Sequence, residues 1–431
     1  EDGRGPSIWD TFSHTPGKTE NGDTGDVACD HYHRWQDDVR LMQNLGLQAY
    51  RFSIAWSRVV PQGFGQPNER GLDFYDSLVD ALLAANITPF VTLYHWDLPQ
   101  ALQDKGGWAN RATVDAFVEY ADLVVARLGD RVSHWITHNE PQVVTFAGNL
   151  EGRHAPGIQD QRTALQVAHH LLLSHGRAVP VLRSARSGAQ VGITLNLSPT
   201  FAASESREDQ AAAQRFDLAN NRWFLDPLHG QGYPEELVEL YGDLMPDIAG
   251  NDLDLIATPI DFLGVNYYFP QTVRAVRPEV HPLGGANRTP DEEAAAGRET
   301  TAMGWPVVPE AFTQLLQRVH SDYVPKAIYI TENGAAYDDR LEDGAVHDPR
   351  RSAYLRSHLD AVHAAINAGV PVRGYFVWSL LDNFEWAYGY SKRFGIVYVD
   401  YATQARTLKD SARFYQRVIE ESRLPDETVA E

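Results

Sequence analysis

Near-continuous apolar runs recur along the chain and alternate with stretches of helical periodicity. The runs are Ala49 to Ala55, Thr88 to Tyr94, Val132 to Thr137, Val191 to Leu197, Phe262 to Asn266, Ala327 to Thr331 and Val372 to Trp378. Short runs rich in β-branched and aromatic residues read as strands buried on both faces, which is the mark of a parallel sheet covered by helices. Helices are predicted over Asp30 to Leu45, Gly71 to Ala85, Ala112 to Leu128, Ala164 to Arg183, Glu310 to Val319 and Asp348 to Ala368. The alternation predicts an α/β fold, a (β/α)8 TIM barrel. Only seven strand runs are found where a closed barrel has eight. Residues 1–26 are rich in Gly, Asp and Thr, nothing before Asp30 reads as a strand, and the tail after Val418 offers no replacement. The expectation is a barrel without its first strand, through deletion or because part of a longer protein is given.

No linker rich in Pro, Gly or Ser divides the series, so residues 1–431 are expected to form one barrel-type catalytic domain. Residues 279–301, with Gly284-Gly285 and an acidic, Ala-rich centre, are expected to be a mobile loop. Residues 204–210 read either as a second such loop or as the start of a helix.

Composition narrows the function. A net charge of -21 argues against a nucleic-acid or anionic-membrane partner, and no apolar run approaches the length of a membrane span. A single cysteine, Cys29, excludes an internal disulfide and fits a reducing, cytoplasmic setting. The chain carries 10 Trp, 19 Tyr and 17 Phe, and several of these stand beside polar residues at strand ends, where a sugar-binding cleft places its stacking platforms.

Two glutamates fall at the ends of two such runs. Glu140 closes His134-Trp135-Ile136-Thr137-His138-Asn139 and is followed by Pro141; Glu332 closes Ile328-Tyr329-Ile330-Thr331 and is followed by Asn333-Gly334. Two carboxyls delivered to one end of a barrel can cleave a glycosidic bond, one as acid and the other as nucleophile or as activator of water. Other polar groups stand at run ends: Arg51, His95 with Trp96, Asn139, Asn196, Asn266 with Tyr268, and Trp378 followed by Glu385 and Trp386. Each alone has an ordinary structural reading, such as a turn or a surface ion pair. Together they line one face with hydrogen-bonding groups, which points to a polar-ligand cleft. Arg51 and Tyr268 are placed to hold Glu332 ionised, whereas Glu140 needs a raised pKa, from burial and from the charge of Glu332.

On these motifs the chain resembles glycoside hydrolase family one, the retaining β-glucosidases. They include Asp2-Gly3-Arg4-Gly5-Pro6-Ser7-Ile8-Trp9-Asp10, Tyr50-Arg51-Phe52-Ser53, Tyr94-His95-Trp96-Asp97-Leu98-Pro99, Thr137-His138-Asn139-Glu140-Pro141, Asn266-Tyr267-Tyr268, Ile330-Thr331-Glu332-Asn333-Gly334 and the run from Trp378 to Trp386. The resemblance implies an exo-β-glycosidase acting by double displacement, with Glu140 as acid/base and Glu332 as nucleophile. It implies supporting roles for Arg51, Tyr268 and Asn266. His95, Trp96, Asn139, Glu385, Trp386 and Phe394 would bind the sugar, Trp378 would lie beneath it, and Trp305 would line the aglycone side. The substrate would be a small β-glycoside or oligosaccharide, glucosyl before galactosyl or fucosyl and unphosphorylated because of Glu385. No cofactor is implied. Family members also carry a preceding strand with a Gln-Xaa-Glu-Gly segment whose glutamine binds two sugar hydroxyls; this chain begins after it. The expected consequences are exposed strand edges and a weakened sugar contact, roughly 1–3 kcal/mol for the partner left unpaired. Gln142 stands where many relatives carry Trp, and no role is read from it.

Two alternatives stand beside this reading. One is a sugar-binding scaffold with weak or no turnover, if the absent strand removes preorganisation. The other is a metal site at Cys29, His31 and His33 or at His169 and His170, whose spacing suits a tetrahedral centre poorly.

Overall fold

The computed structural model describes residues 1–277 and 279–425. Its main sheet has seven parallel strands in chain order: β1 (Ala49–Ser53), β2 (Thr88–Tyr94), β3 (His134–Asn139), β4 (Gln190–Asn196), β5 (Phe262–Asn266), β6 (Ile328–Asn333) and β7 (Val372–Val377). These are the seven apolar runs, with ends shifted by one or two residues. Val91, Leu93, Ile136, Ile193, Leu263 and Val265 have no solvent exposure, as near-continuous apolar strands require. Each buried side chain of this kind contributes about 1.5–3 kcal/mol.

The sheet curls. Phe90 of β2 packs against His134 of β3 at 4.1 Å between ring centroids, and also against Tyr329 of β6 at 5.1 Å and Phe376 of β7 at 4.9 Å. Strands distant in the sheet order therefore meet inside it, and the arrangement is a nearly closed barrel. No ladder joins β1 to β7 among the described residues. The side chains of these two edge strands are only partly covered, in contrast to β2 through β6. A cavity of about 340 Å³ lies along the seam, lined by Tyr50, Arg51, Phe52, Phe376, Val377 and Trp378 among others.

Helices cover the outside. His31–Asn44 precedes β1, and Glu69–Ala84, Ala112–Leu128, Gln161–Ser184, Pro309–Tyr323 and Pro349–Asn367 follow β1, β2, β3, β5 and β6. Asp160 caps the long Gln161–Ser184 helix by accepting from the Thr163 amide at 2.7 Å, a bond of about 1 kcal/mol. One helix absent from the sequence reading, Asp410–Glu421, packs its buried Ala412 and Phe414 beside Leu355. No helix among the described residues is long and apolar enough to cross a membrane.

The stretch over 279–301, expected as a mobile loop, carries short elements of its own. It holds a short strand, Gly285–Asn287, paired with Gln271–Ala275, and a helix, Pro290–Ala295, closed by a capping box between Thr289 and Glu292. Leu283 and Glu293 are buried, the latter paired with Arg298 at 2.8 Å. An acidic composition hid a segment anchored by one leucine and local caps. Residues 204–210 start a helix, Arg207–Asp217, capped by Ser206.

Candidate active site

Strand ends decide what reaches the cleft. Glu140 follows β3 in a left-handed conformation (φ 47, ψ 65), and its amide donates to the Thr194 carbonyl at 2.9 Å. A left-handed residue other than glycine costs about 1–2 kcal/mol, and Pro141 behind it disfavours the right-handed alternative. Glu332 sits within β6, one residue before its end. Gly334 is required by proximity: a Cβ there would stand 1.8 Å from the Trp378 carbonyl oxygen. That contact, not a turn, explains the glycine.

The two carboxyls share a cleft of about 770 Å³ that is also lined by His95, Trp96, Tyr268, Trp305, Trp378, Glu385, Trp386 and Phe394. Three other residues singled out from sequence do not line the cleft but are bonded to residues that do. Asn139 and Asn266 are fully buried, and Arg51 lines the seam cavity behind the carboxyls. His95 and Trp378 line both cavities, so the seam lies directly behind the cleft.

The two glutamates have opposite surroundings. Glu332 accepts from the Arg51 guanidinium on Oε1 at 2.7 Å and from the Tyr268 hydroxyl on Oε2 at 2.6 Å. Both sides of that ion pair are almost wholly buried, with 6% and 5% of the side chains exposed, so water screens it little. Among the described residues Glu140 receives only neutral amides, from Asn266 at 2.7 Å and Asn196 at 3.1 Å, both on Oε1. Burial, and then the Glu332 charge, push Glu140 up to about 8.

Glu385 is pushed up to about 8 by the same two causes in the same order, and its Oε2 is buried with no partner among the described residues. It is therefore largely protonated near neutral pH and has an unmet hydrogen-bonding oxygen. His95 is held well below the usual histidine range by burial and by Arg51, so its ring is neutral. Its Nε2 meets the Asn139 amide nitrogen at 3.1 Å and accepts from it, which leaves Nδ1 as the donor. Asn139 itself is fixed by Arg51 and Asn266 on its oxygen, while Trp96 Nε1 donates to its backbone carbonyl at 2.9 Å.

Aromatic rings complete the walls. Trp96 and Trp386 pack at 4.6 Å between centroids, and Trp305 stands 5.2 Å from Tyr268 and 5.0 Å from Phe269. His281 and Leu283, from the segment expected to be a mobile loop, also line the cleft, with Phe216 packed against His281 at 5.1 Å and with Phe146 and Leu150. None of these five was singled out from sequence, because nothing local marks them. Cys29 and His31 line the seam, His31 pairs with Asp38 at 2.8 Å, and His33 is bonded to Asp30 at the surface. Among the described residues no group of three His, Cys, Asp or Glu side chains is arranged to hold a metal ion.

Paired carboxyls of contrasting environment in an aromatic cleft are the equipment of glycoside cleavage. The profile of the family described as Glycosyl hydrolase family 1 matches residues 1–424. The chain belongs to that family. Among relatives of this family 1 chain is β-glucosidase A of Thermotoga maritima, 49% identical over 99% of this chain and 94% of its own length. Another is thermostable β-glucosidase B of Thermobispora bispora, 52% identical over 97% of this chain and 86% of its own length. A solved structure of the T. maritima family 1 β-glucosidase superposes with a TM-score of 0.95, covering 99% of this chain and 94% of that one. The same enzyme has been solved in complex with glucoimidazole, with a TM-score of 0.93 over 98% of this chain and 94% of that chain.

Proposed function

We propose that this family 1 chain is a retaining β-glucosidase that releases terminal glucosyl residues from β-glycosides. Glu332 attacks the anomeric carbon as Glu140 transfers its proton to the departing glycosidic oxygen, giving a covalent glycosyl-enzyme and a free alcohol. Glu140, now a carboxylate, then takes a proton from water as the water oxygen displaces Glu332. Arg51 and Tyr268 hold the nucleophile. Asn266 steadies the acid. His95, Asn139, Glu385 and Trp386 bind the glucosyl hydroxyls, Trp378 supports the ring from below, and Trp96 and Phe394 close the pocket around it. Trp305 receives the aglycone.

The observation that carries the reading is the contrast between the two carboxyls. One is bonded by a cation and a phenol, and the other, in the same cleft, keeps its proton near neutral pH. A binding scaffold would gain nothing from that division, so the scaffold alternative finds no support here. The site draws its residues from Arg51 to Phe394, which supports treating the chain as one catalytic domain. Relatives named 1,4-β-D-glucan glucohydrolase and bifunctional β-D-glucosidase/β-D-fucosidase favour glucosides, cellulose-derived oligosaccharides included, with fucosides second. An unphosphorylated sugar suits Glu385, which offers a phosphate no positive charge to pair with. A cytoplasmic location belongs to the same reading and draws on the single cysteine.

The test is Glu332→Ala assayed on aryl β-glucosides with and without azide. Hydrolysis should vanish and return in part with azide, as the α-glucosyl azide. No rescue, or unchanged hydrolysis, refutes the assignment of the nucleophile.

A further inference from the structure

Gln142, to which sequence gave no role, is buried two residues beyond Glu140. Its side chain forms two hydrogen bonds to one residue on the neighbouring strand. Nε2 donates to the Asn196 carbonyl at 3.1 Å, and the Asn196 amide donates to Oε1 at 3.4 Å. The β3–β4 ladder ends where the Glu140 amide meets Thr194, because the chain turns into a short helix at Pro141 and the Gln142 N–H no longer faces β4. The Gln142 carboxamide supplies the next rung in place of a peptide group and fixes the backbone of Asn196.

Asn196 then reaches Glu140. Its Nδ2 lies 3.1 Å from Oε1, the same oxygen that accepts from Asn266 at 2.7 Å. The Asn266 amide is oriented by Thr331, whose hydroxyl donates to its Oδ1 at 2.7 Å, so its nitrogen faces the glutamate. No side chain among the described residues donates to Oε2. Two N–H donors on Oε1 favour a carbonyl or carboxylate oxygen there, since a carboxyl hydroxyl is the weaker acceptor and must also place its own proton.

We propose that Gln142 is a positioning residue for the proton donor: it clamps Asn196, which together with Asn266 occupies Oε1 of Glu140 and assigns the acid's proton to Oε2. This rests on the glucosidase reading above and names a further part of that site. Gln142 also lines the cleft, so it competes with a simpler role as an aglycone contact.

The experiment compares Gln142→Leu, Asn196→Ala and their double variant on two substrates. Phenyl β-glucoside needs its leaving oxygen protonated, whereas 2,4-dinitrophenyl β-glucoside departs without help. Each single variant should lose about tenfold in kcat/KM on the phenyl substrate, the worth of one hydrogen bond, and keep kcat/KM on the dinitrophenyl substrate to within about twofold. The double variant should be no worse than the poorer single, because both act through one contact. The alkaline limb of the phenyl profile should move to higher pH, since a donor to the carboxylate is lost while Glu332, Arg51 and Glu385 stay in place. Mere loosening that admits water would move it to lower pH.

Equal losses on both substrates, additive losses, or a limb moving down would overturn the proposal. Should Gln142→Leu not fold, Asn196→Ala alone decides by its two-substrate ratio. Wild-type protein unable to cleave the dinitrophenyl glucoside would instead refute the glucosidase reading, and this inference with it.

Discussion

Replacing Glu332 by Gln keeps the shape of the nucleophile and removes its charge, which isolates what that charge does to Glu140. In the wild type the Glu140 carboxyl is raised from 4.5 to about 8, with burial the larger cause and the Glu332 charge the next. At pH 7 a carboxyl of pKa 4.5 is protonated in roughly one molecule in 300, and one of pKa 8 in roughly nine of ten, a gain of some 300-fold in competent acid. The full displacement corresponds to about 5 kcal/mol. Like charges sharing a site shift one another by a unit or more, so Glu332→Gln should bring Glu140 down by at least about one unit and leave the burial part in place. Carboxyl carbon-13 NMR of glutamate-labelled protein, read as a difference from the matching Glu140→Gln variants, follows the titration without needing turnover. In Glu332→Gln the Glu140 step is read without a second carboxyl beside it. A Glu140 titration identical in both proteins would refute the argument that the nucleophile's charge keeps the acid protonated. A wild-type value near 4.5 would refute the burial argument as well. The sign for catalysis follows: kcat/KM falls as pH rises through the raised value, because the first step consumes the protonated form.

Tyr268→Phe removes the 2.6 Å bond to Glu332 and leaves the Arg51 pair. A bond to a charged group contributes about 1.5–3 kcal/mol, so kcat/KM on aryl glucosides should drop about 10- to 100-fold, and a change under about twofold would contradict the support given to Tyr268. Lys409→Met tests a buried ion-pair network before the Glu385–Trp386 segment: the buried ammonium joins Asp339 at 2.6 Å to Asp382 at 2.8 Å. Leaving those carboxylates short of a cation should cost about 3–5 kcal/mol, seen as a lower urea midpoint by circular dichroism; an unshifted midpoint would sink the idea.

Among the elements, the seven barrel strands were legible because apolar runs buried on both faces have no other reading in an alternating chain. Glu140 and Glu332 were legible because each follows such a run, and Arg51, His95 and Asn266 because they sit at the ends of others. The short strand and helix within 279–301 were hidden by its acidic composition, although the Thr289-Pro290-Asp291-Glu292 capping box was present to be seen. The hairpin strands Val397–Asp400 and Ala405–Leu408 were passed over because four-residue strands leave too short a pattern.

What the sequence determined by itself was the order of strands and helices, the two acidic groups and the motif set that marks the family, since these depend on local periodicity and residue identity. Only the tertiary structure decided which oxygen of Glu140 is occupied, that Gln142 reaches Asn196, and that His281 and Leu283 wall the cleft. It alone decided that Arg51 serves Glu332 from the side of the seam and that Glu385 is pressed into its protonated form. Those outcomes depend on distances between residues tens to hundreds of positions apart and on the exclusion of water around them. Neither quantity is defined until the chain has closed on itself.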